Sequence, residues 1–359
     1  MGSLNQIEQP LNRIIVEATN CCNLNCSMCI RGTWKYSTGY MSSSTFSALL
    51  DDLRDLSPAP EVFFGGYGEP LSHPEILNMI RDVKATGARA GLVSNGTLLT
   101  PGLSRDLILS GLDRLWISLD NIHQDSIQEN LPAQSGPLIL QNLEDLLDQE
   151  KELPEGPDVG LVIVLNQTNS STISDLINQG IKIGIKSFFF TNLEAFSEDM
   201  ARETLYQPEQ LRRPGSWLAN HATLSRELAG LNNDIIIEGV MADARTRCPF
   251  AEKGEIVLRW DGEVCPCLPL LYDHTSFLGS WKHQVDSCSF GNILTRSIQQ
   301  VWSDLEFNTL RDRLLGEKFS PCLSCRDCWL SDDNQMDCMG YGHPTCGGCL
   351  WADGIISCP

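Results

Sequence analysis

The sequence predicts an α/β chain built around a parallel sheet, and three observations carry that expectation. Six short β-rich runs alternate with longer helical patterns over the first two-thirds of the chain. The runs are apolar throughout instead of alternating, as in strands whose two faces are both covered by crossover helices. Each unusual local motif follows directly on a run, at the strand end where such sheets collect their chemistry.

The elements follow in order. NRIIVEAT (Asn12–Thr19) reads as the first strand, and MSSSTFSALLDDLRDL (Met41–Leu56) as a helix capped by serine. Glu61–Gly66 is the second strand, with a helix over His73–Thr86. Arg89–Gly96 is the third, and its helix opens at Pro101, a favoured first-turn residue. Arg114–Asp120, Asp158–Asn166 and Ile185–Leu193 are strands four to six. Their helices are placed at Pro137–Glu150, Ser171–Gln179 and Gln207 to about Ala229. Six βα units are fewer than a full eight-stranded barrel needs, so periodicity alone leaves a partial barrel and an open doubly wound sheet both standing. Beyond about Ile235 the pattern breaks. Gly254–Cys267 reads as a hairpin turning at Asp261-Gly262, Ser297–Leu315 as a short helical stretch, and the rest as a loop-rich tail packed with cysteine. The expected division is therefore residues 1–235 and 236–359.

Composition narrows the function. With 359 residues, 42% of them hydrophobic, the chain can bury one large core and a smaller one. No stretch approaches the ~20 apolar residues that cross a bilayer. The opening MGSLNQIEQPLN has no apolar core of a signal peptide, and Gln6 stands where a myristoylation motif takes Ser or Thr. A cytoplasmic protein with no membrane partner is expected. A net charge of −20 argues against nucleic acid and for either plain solubility or a cationic partner surface. Fifteen cysteines in a reducing compartment point to metal or catalysis more than to disulfides.

Four of those cysteines crowd into TNCCNLNCSMCIRG (Thr19–Gly32). Cys22, Cys26 and Cys29 offer three thiolates from one loop, which suits a cubane iron–sulfur cluster with one iron open. Structural zinc, with Cys21 as a fourth ligand, and unligated thiols are the competing readings. The distal cysteines run Cys248, Cys265, Cys267, Cys288, Cys322, Cys325, Cys328, Cys338, Cys346, Cys349 and Cys358. Their CxxC pairs suit zinc as readily as iron when taken alone.

CNLNCSMC (Cys22–Cys29) resembles the C-x3-C-x-Φ-C signature of the radical S-adenosylmethionine (radical SAM) enzymes, with Met28 where an aromatic is usual. The resemblance implies a partial (βα)6 barrel and a 4Fe–4S cluster on Cys22, Cys26 and Cys29. It also implies reductive cleavage of SAM to a 5′-deoxyadenosyl radical, fed by a reductant such as ferredoxin or flavodoxin. GGYGEP resembles the family's "GGE" loop, so Gly65 and Gly66 would let backbone approach the SAM ammonium and Glu69 would accept from it. Ser94, Asn95, Ser118 and Asp120 resemble positions around the SAM ribose and carboxylate, and Asn192 after the sixth strand is a further candidate. The plainer readings are turns for GGYGEP and Asn95-Gly96, a helix cap for Asp120, and a hydrogen-bonded loop residue for Asn192.

Cys248-x13-Gly262-x4-Cys267 resembles the opening of the SPASM extension, which implies a small cysteine-rich domain holding two auxiliary 4Fe–4S clusters. The later cysteines depart from that family's spacing. The candidate ligands are Cys248, Cys267, Cys322, Cys325, Cys328, Cys338, Cys346, Cys349 and Cys358. One three-ligand and two four-ligand clusters take eleven of the fifteen cysteines, leaving Cys21, Cys265, Cys288 and one of the last three as spares. PTCGGCLWADGIISCP and Thr191–Tyr206 resemble the maturases associated with tungsten-containing aldehyde ferredoxin oxidoreductases. That implies a protein substrate, or a tungstopterin cofactor held by one, possible partners being such tungsten oxidoreductases. Within the enzyme class the alternative is a peptide-modifying enzyme forming thioether or carbon–carbon crosslinks, a reading lowered by the dozen residues ahead of strand one. Outside it stand a zinc-binding interaction protein and an iron–sulfur carrier. Colour separates these, since reconstituted cubanes are brown and zinc is not.

Overall fold

The computed structural model describes residues 9–122, 135–153, 156–206, 234–240, 248–325 and 328–359. Six βα units open the chain: β1 (Arg13–Val16) with α1 (Ser43–Asp55), β2 (Glu61–Phe64) with α2 (Ile76–Ala85), β3 (Ala90–Ser94) with α3 (Pro101–Leu109), β4 (Arg114–Ser118) with α4 (Ser135–Glu150), β5 (Asp158–Leu165) with α5 (Ile173–Ile183), and β6 (Ser187–Asn192) with α6 (Glu198–Glu203). The caps are those the sequence advertises. Ser42 accepts from the Thr45 amide at the head of α1, and Thr100 accepts from the Leu103 amide ahead of Pro101. The helix expected over Gln207 to Ala229 lies outside the described residues.

The strands pair in parallel in the order β6-β5-β4-β3-β2-β1. An open doubly wound sheet would reverse direction at a switch point. This sheet never does, and so the barrel arrangement wins. Phe63, Val93, Trp116, Val162 and Phe189, one residue from each of β2 to β6, pack into a cluster of their own on one face, separate from the larger core under the helices. By strand alternation Arg13, Ile15 and Glu17 share that face.

Two strands beyond the expected six extend the sheet. β7 (Ile236–Gly239) adds in parallel to β6, just past the division expected at 235/236. After α7 (Pro249–Lys253), β8 (Glu255–Leu258) adds in parallel to the other edge, against β1, and turns back through the expected hairpin into β9 (Val264–Cys265). The C-terminal part is thus sewn to both edges of the barrel sheet. It continues as a second hairpin, β10 (His274–Leu278) and β11 (Trp281–Val285), then α8 (Ile298–Trp302) and α9 (Leu305–Leu315), and ends in loops. No described helix is long and apolar enough to cross a membrane.

Candidate active site

The cysteine loop leaves the end of β1 and is pinned at its root by two polar residues. Thr19 donates its hydroxyl to the Gly39 carbonyl (2.6 Å) and accepts the Cys21 amide (2.9 Å). Asn20, fully buried, accepts the Gly39 amide (2.8 Å) and donates to the Ser37 carbonyl (3.0 Å). Between these anchors Cys22, Cys26 and Cys29 are partly buried. The Cys29 amide donates to the Cys26 carbonyl, and Arg31 reaches back to the Leu24 carbonyl. Burial pushes the Cys26 thiol up to about 11, helped by the neighbouring Cys29, Asp120 and Cys22. Cys21 turns away, its thiol aimed at the Gly39 carbonyl. The donor set fits a cubane with an open iron: three soft thiols share one pinned loop, and the fourth thiol faces elsewhere.

The loop after β2 crosses close over this one. Glu69 donates its amide to the Cys21 carbonyl at 2.8 Å. The crossing requires glycine at Gly68, where a Cβ would lie 2.0 Å from the Thr19 carbonyl oxygen. Gly66 has φ +119, and a Cβ there would meet Glu17 Cγ at 2.8 Å. The Glu69 carboxylate, expected to face a ligand ammonium, is committed to the protein instead. Oε1 accepts from Ser94 Oγ and the Leu71 amide, both at 2.9 Å, and Oε2 accepts from the Asn95 amide at 2.8 Å. Burial raises its pKa, and these hydrogen bonds offset only part of the rise. Asn95 carries the chain of contacts on: Nδ2 donates to Asn23 Oδ1 (2.9 Å) and lies 3.8 Å from Cys22 Sγ. The loops after β1, β2 and β3 form one hydrogen-bonded unit.

The remaining candidates divide. Ser118 ends β4, half-buried. Asp120 is buried and accepts the Val164 amide at 2.7 Å, with burial pushing its carboxyl up to about 7. It follows β4 by two residues, at the same end of the parallel sheet as the cysteine loop after β1. Asn192 is drawn to the C-terminal tail instead: Nδ2 donates to the Ile355 carbonyl at 2.8 Å, and its buried Oδ1 has no partner among the described residues. That is the hydrogen-bonded alternative considered above. The tail is further held by Ser357 to Thr191 and by the Pro359 carbonyl to Arg13.

The distal cysteines gather in two places. Cys248, Cys267, Cys346 and Cys349 line one cavity under α9, and burial followed by their mutual charge raises the Cys267 thiol well above its ordinary value. Cys322 is raised by burial and then by Cys338, Asp337 and Cys325, and Cys325 and Cys328 are set by successive turns with amides donating to the Cys322 and Cys325 carbonyls. Cys358 is not on the cavity wall. It lies beside Cys248, among Glu255, Lys253 and Arg13. Among the described residues no three of His, Cys, Asp and Glu converge tightly enough for a single ion. Four thiols around a space, not a point, is a donor set that fits a cluster.

Sequence reasoning missed Glu17, Tyr67 and Tyr272. Glu17 is wholly buried, accepting the Tyr67 amide (3.2 Å) on Oε1 and the Tyr272 hydroxyl (2.6 Å) on Oε2, and burial pushes it up to about 7. Trp34 and Tyr36 close an aromatic cluster over Tyr272, with ring centroids 4.1 and 4.8 Å away. The available signal was a carboxylate inside an apolar strand run, a costly residue unless hydrogen-bonded.

Comparison with known proteins agrees with this geometry. Residues 16–166 match the radical SAM superfamily, and residues 248–329 match SPASM, an iron–sulfur cluster-binding domain. The chain is 27% identical over 353 residues, 96% of each chain, to the tungsten-containing aldehyde ferredoxin oxidoreductase cofactor-modifying protein of Pyrococcus furiosus. It is 21% identical to the PqqA peptide cyclase of Streptomyces rochei, over 87% of this chain and 80% of that one. Among solved structures, anSMEcpe with bound AdoMet and Cp18Cys peptide shares the fold with a TM-score of 0.63, at 16% identity over 97% of this chain and 96% of that one. The cysteine loop after β1 falls within the first matched region and the first distal thiols within the second, and the two domains they mark imply 4Fe–4S clusters with SAM. The chain is therefore a radical SAM enzyme with a SPASM domain.

Proposed function

We propose that this enzyme cleaves SAM reductively and modifies a tungsten-containing partner enzyme or its tungstopterin cofactor. The observation that carries the reading is end-to-end similarity to the Pyrococcus furiosus cofactor-modifying protein, covering 96% of both chains. Cys22, Cys26 and Cys29 hold the SAM-binding cluster. Cys248, Cys267, Cys346 and Cys349 hold one auxiliary cluster and Cys322, Cys325, Cys328 and Cys338 the other, with Cys21, Cys265, Cys288 and Cys358 spare. Held by Cys22, Cys26 and Cys29, the cluster would pass one electron from an external reductant to SAM and so supply the radical chemistry that removes hydrogen from the substrate. The chain's own residues orient SAM: the backbone at Gly65 and Gly66 receives its ammonium, and Ser94, Asn95, Ser118 and Asp120 flank its carboxylate and ribose.

Glu69 acts here mainly by tying the loops together. Glu69→Ala is expected to weaken SAM binding by on the order of 1.5–3 kcal/mol, with cluster content changed less. Glu69→Gln should do little better, because its NH2 group would oppose a donor, either the Asn95 amide or the Ser94 and Leu71 pair. SAM affinity and iron content of both variants check this; iron lost in step with SAM would mean that Glu69 serves only the fold.

The partner reading has its own test. A chain of net charge −20 attracts a basic face, and exposed charges are screened over ~8–10 Å at 0.10–0.15 M salt. SAM cleavage should rise on adding the tungsten-enzyme polypeptide at low salt, and the stimulation should fade at high salt. Equal stimulation by a low-molecular-weight extract would refute a protein partner. The similarity to the PqqA peptide cyclase favours the second reading, a peptide crosslinked by thioether or carbon–carbon bonds. A product peptide lighter by two hydrogens, with the tungstopterin unchanged, would select it.

A further inference from the structure

We infer that Glu17 and Tyr272 form a strut through which the C-terminal domain positions the Gly65–Tyr67 turn, so that SAM affinity depends on the hydrogen bond between them. The inference rests on the reading that this turn receives SAM. Glu17 sits just past β1 on the face that lines the barrel, and its two oxygens point to two different parts of the chain. Oε1 takes the amide of Tyr67 in the turn, and Oε2 takes the hydroxyl of Tyr272, 255 residues away. Gly66 packs against the Glu17 side chain, so close that a Cβ built on it would lie 2.8 Å from Glu17 Cγ. The turn is therefore shaped by where Glu17 stands, and Glu17 stands where Tyr272 holds it.

Tyr272 is itself fixed on several sides. Its ring packs on Trp34 and Tyr36, and Arg259, ion-paired to Asp261 at 2.7 Å, lies over it at 5.4 Å while donating to the Leu271 carbonyl. A second tie runs in parallel: Tyr67 donates its hydroxyl to the carbonyl of Leu268, the residue after Cys267, at 3.3 Å. Segment 268–272 thus grips the turn at both its backbone and its side chain. A carboxyl buried this completely is costly unless its hydrogen bonds are kept, which makes the pair a rigid spacer and not a loose contact.

The test uses the full-length protein with its clusters reconstituted, and measures SAM affinity by equilibrium dialysis beside iron content, kcat and KM. Tyr272→Phe keeps the ring stack and removes only the hydroxyl, and SAM binding should weaken about tenfold at wild-type iron content. Glu17→Ala should weaken it at least as much. Glu17→Gln should recover most of the loss, because its carbonyl can take the Tyr67 amide and its NH2 group can donate to the phenol oxygen. The effect should fall on KM for SAM, with kcat at saturation held within about twofold. If Tyr272→Phe and Glu17→Ala lower thermal stability but bind SAM as wild type does, the strut is structural only and the inference fails. Should Glu17→Ala not fold, Tyr272→Phe decides alone. Wild-type protein that binds no SAM would instead sink the underlying reading of the turn, and the strut with it.

Discussion

Replacing Cys22, Cys26 and Cys29 together with Ala is expected to abolish reductive SAM cleavage while leaving roughly two cubanes of iron in the protein. The two halves of that result come from different parts of the structure. The three thiols belong to one loop, rooted by Thr19 and Asn20 in hydrogen bonds that involve no cysteine side chain of the trio. Their removal leaves those anchors and the barrel core beneath untouched. The thiols proposed for the auxiliary clusters are elsewhere, four around the cavity under α9 and the others near Cys322. Iron should therefore fall by about the share of one cluster. Retained 5′-deoxyadenosine formation would overturn the assignment of the loop, and loss of all iron would show that the clusters assemble as one unit.

What could be read from the sequence was local, and what could not was pairwise and distant. The six strands were legible because each is a short run apolar on both faces, and the site loops because glycine, cysteine and asparagine stood out after them. Neighbour order was not legible in the periodicity, which describes one strand at a time and leaves the barrel and the open sheet equal; the resemblance of the cysteine loop chose the barrel, and β1 to β6 pair without a switch. β7 escaped because a four-residue strand outside a βα rhythm leaves little pattern, and β8, legible as an arm of the hairpin, gave no sign that it joins β1 across more than 240 residues. Glu69 was legible as a residue of interest, but its three donors come from folding and not from spacing. The same holds for the cysteines. Spacing alone did not separate Cys346, Cys349 and Cys358, whereas the fold puts the first two on the wall of the cavity under α9 and the third off it, its carbonyl taking Lys253 Nζ at 3.3 Å.

Gly68→Ala is expected to be nearly as damaging as the triple cysteine replacement, with SAM cleavage lowered about a hundredfold, the scale of a 1 Å misplacement at a reacting site. A Cβ at position 68 would lie 2.0 Å from the Thr19 carbonyl oxygen and 2.7 Å from that of Cys21. Both obstacles are backbone, and both belong to the pinned root of the cysteine loop, so neither can swing aside as a side-chain tip would. The loop after β2 must lift. Lifting it lengthens the 2.8 Å bond from the Glu69 amide to Cys21 and pulls the Glu69 carboxylate off Ser94 and Asn95, so the three loops part together. The barrel core takes no part in these contacts, and the variant should still fold with iron bound. Gly87→Ala is the control: its φ of +87 on the turn after α2 brings a backbone strain that position 68 does not have, but an added Cβ there meets nothing within 4 Å. It should lose a little thermal stability and keep its rate of 5′-deoxyadenosine formation. If Gly68→Ala cleaves SAM like wild type, the close crossing of the two loops is not what the site depends on; if both variants fail alike, a general loosening of the chain and not the crossing is the cause.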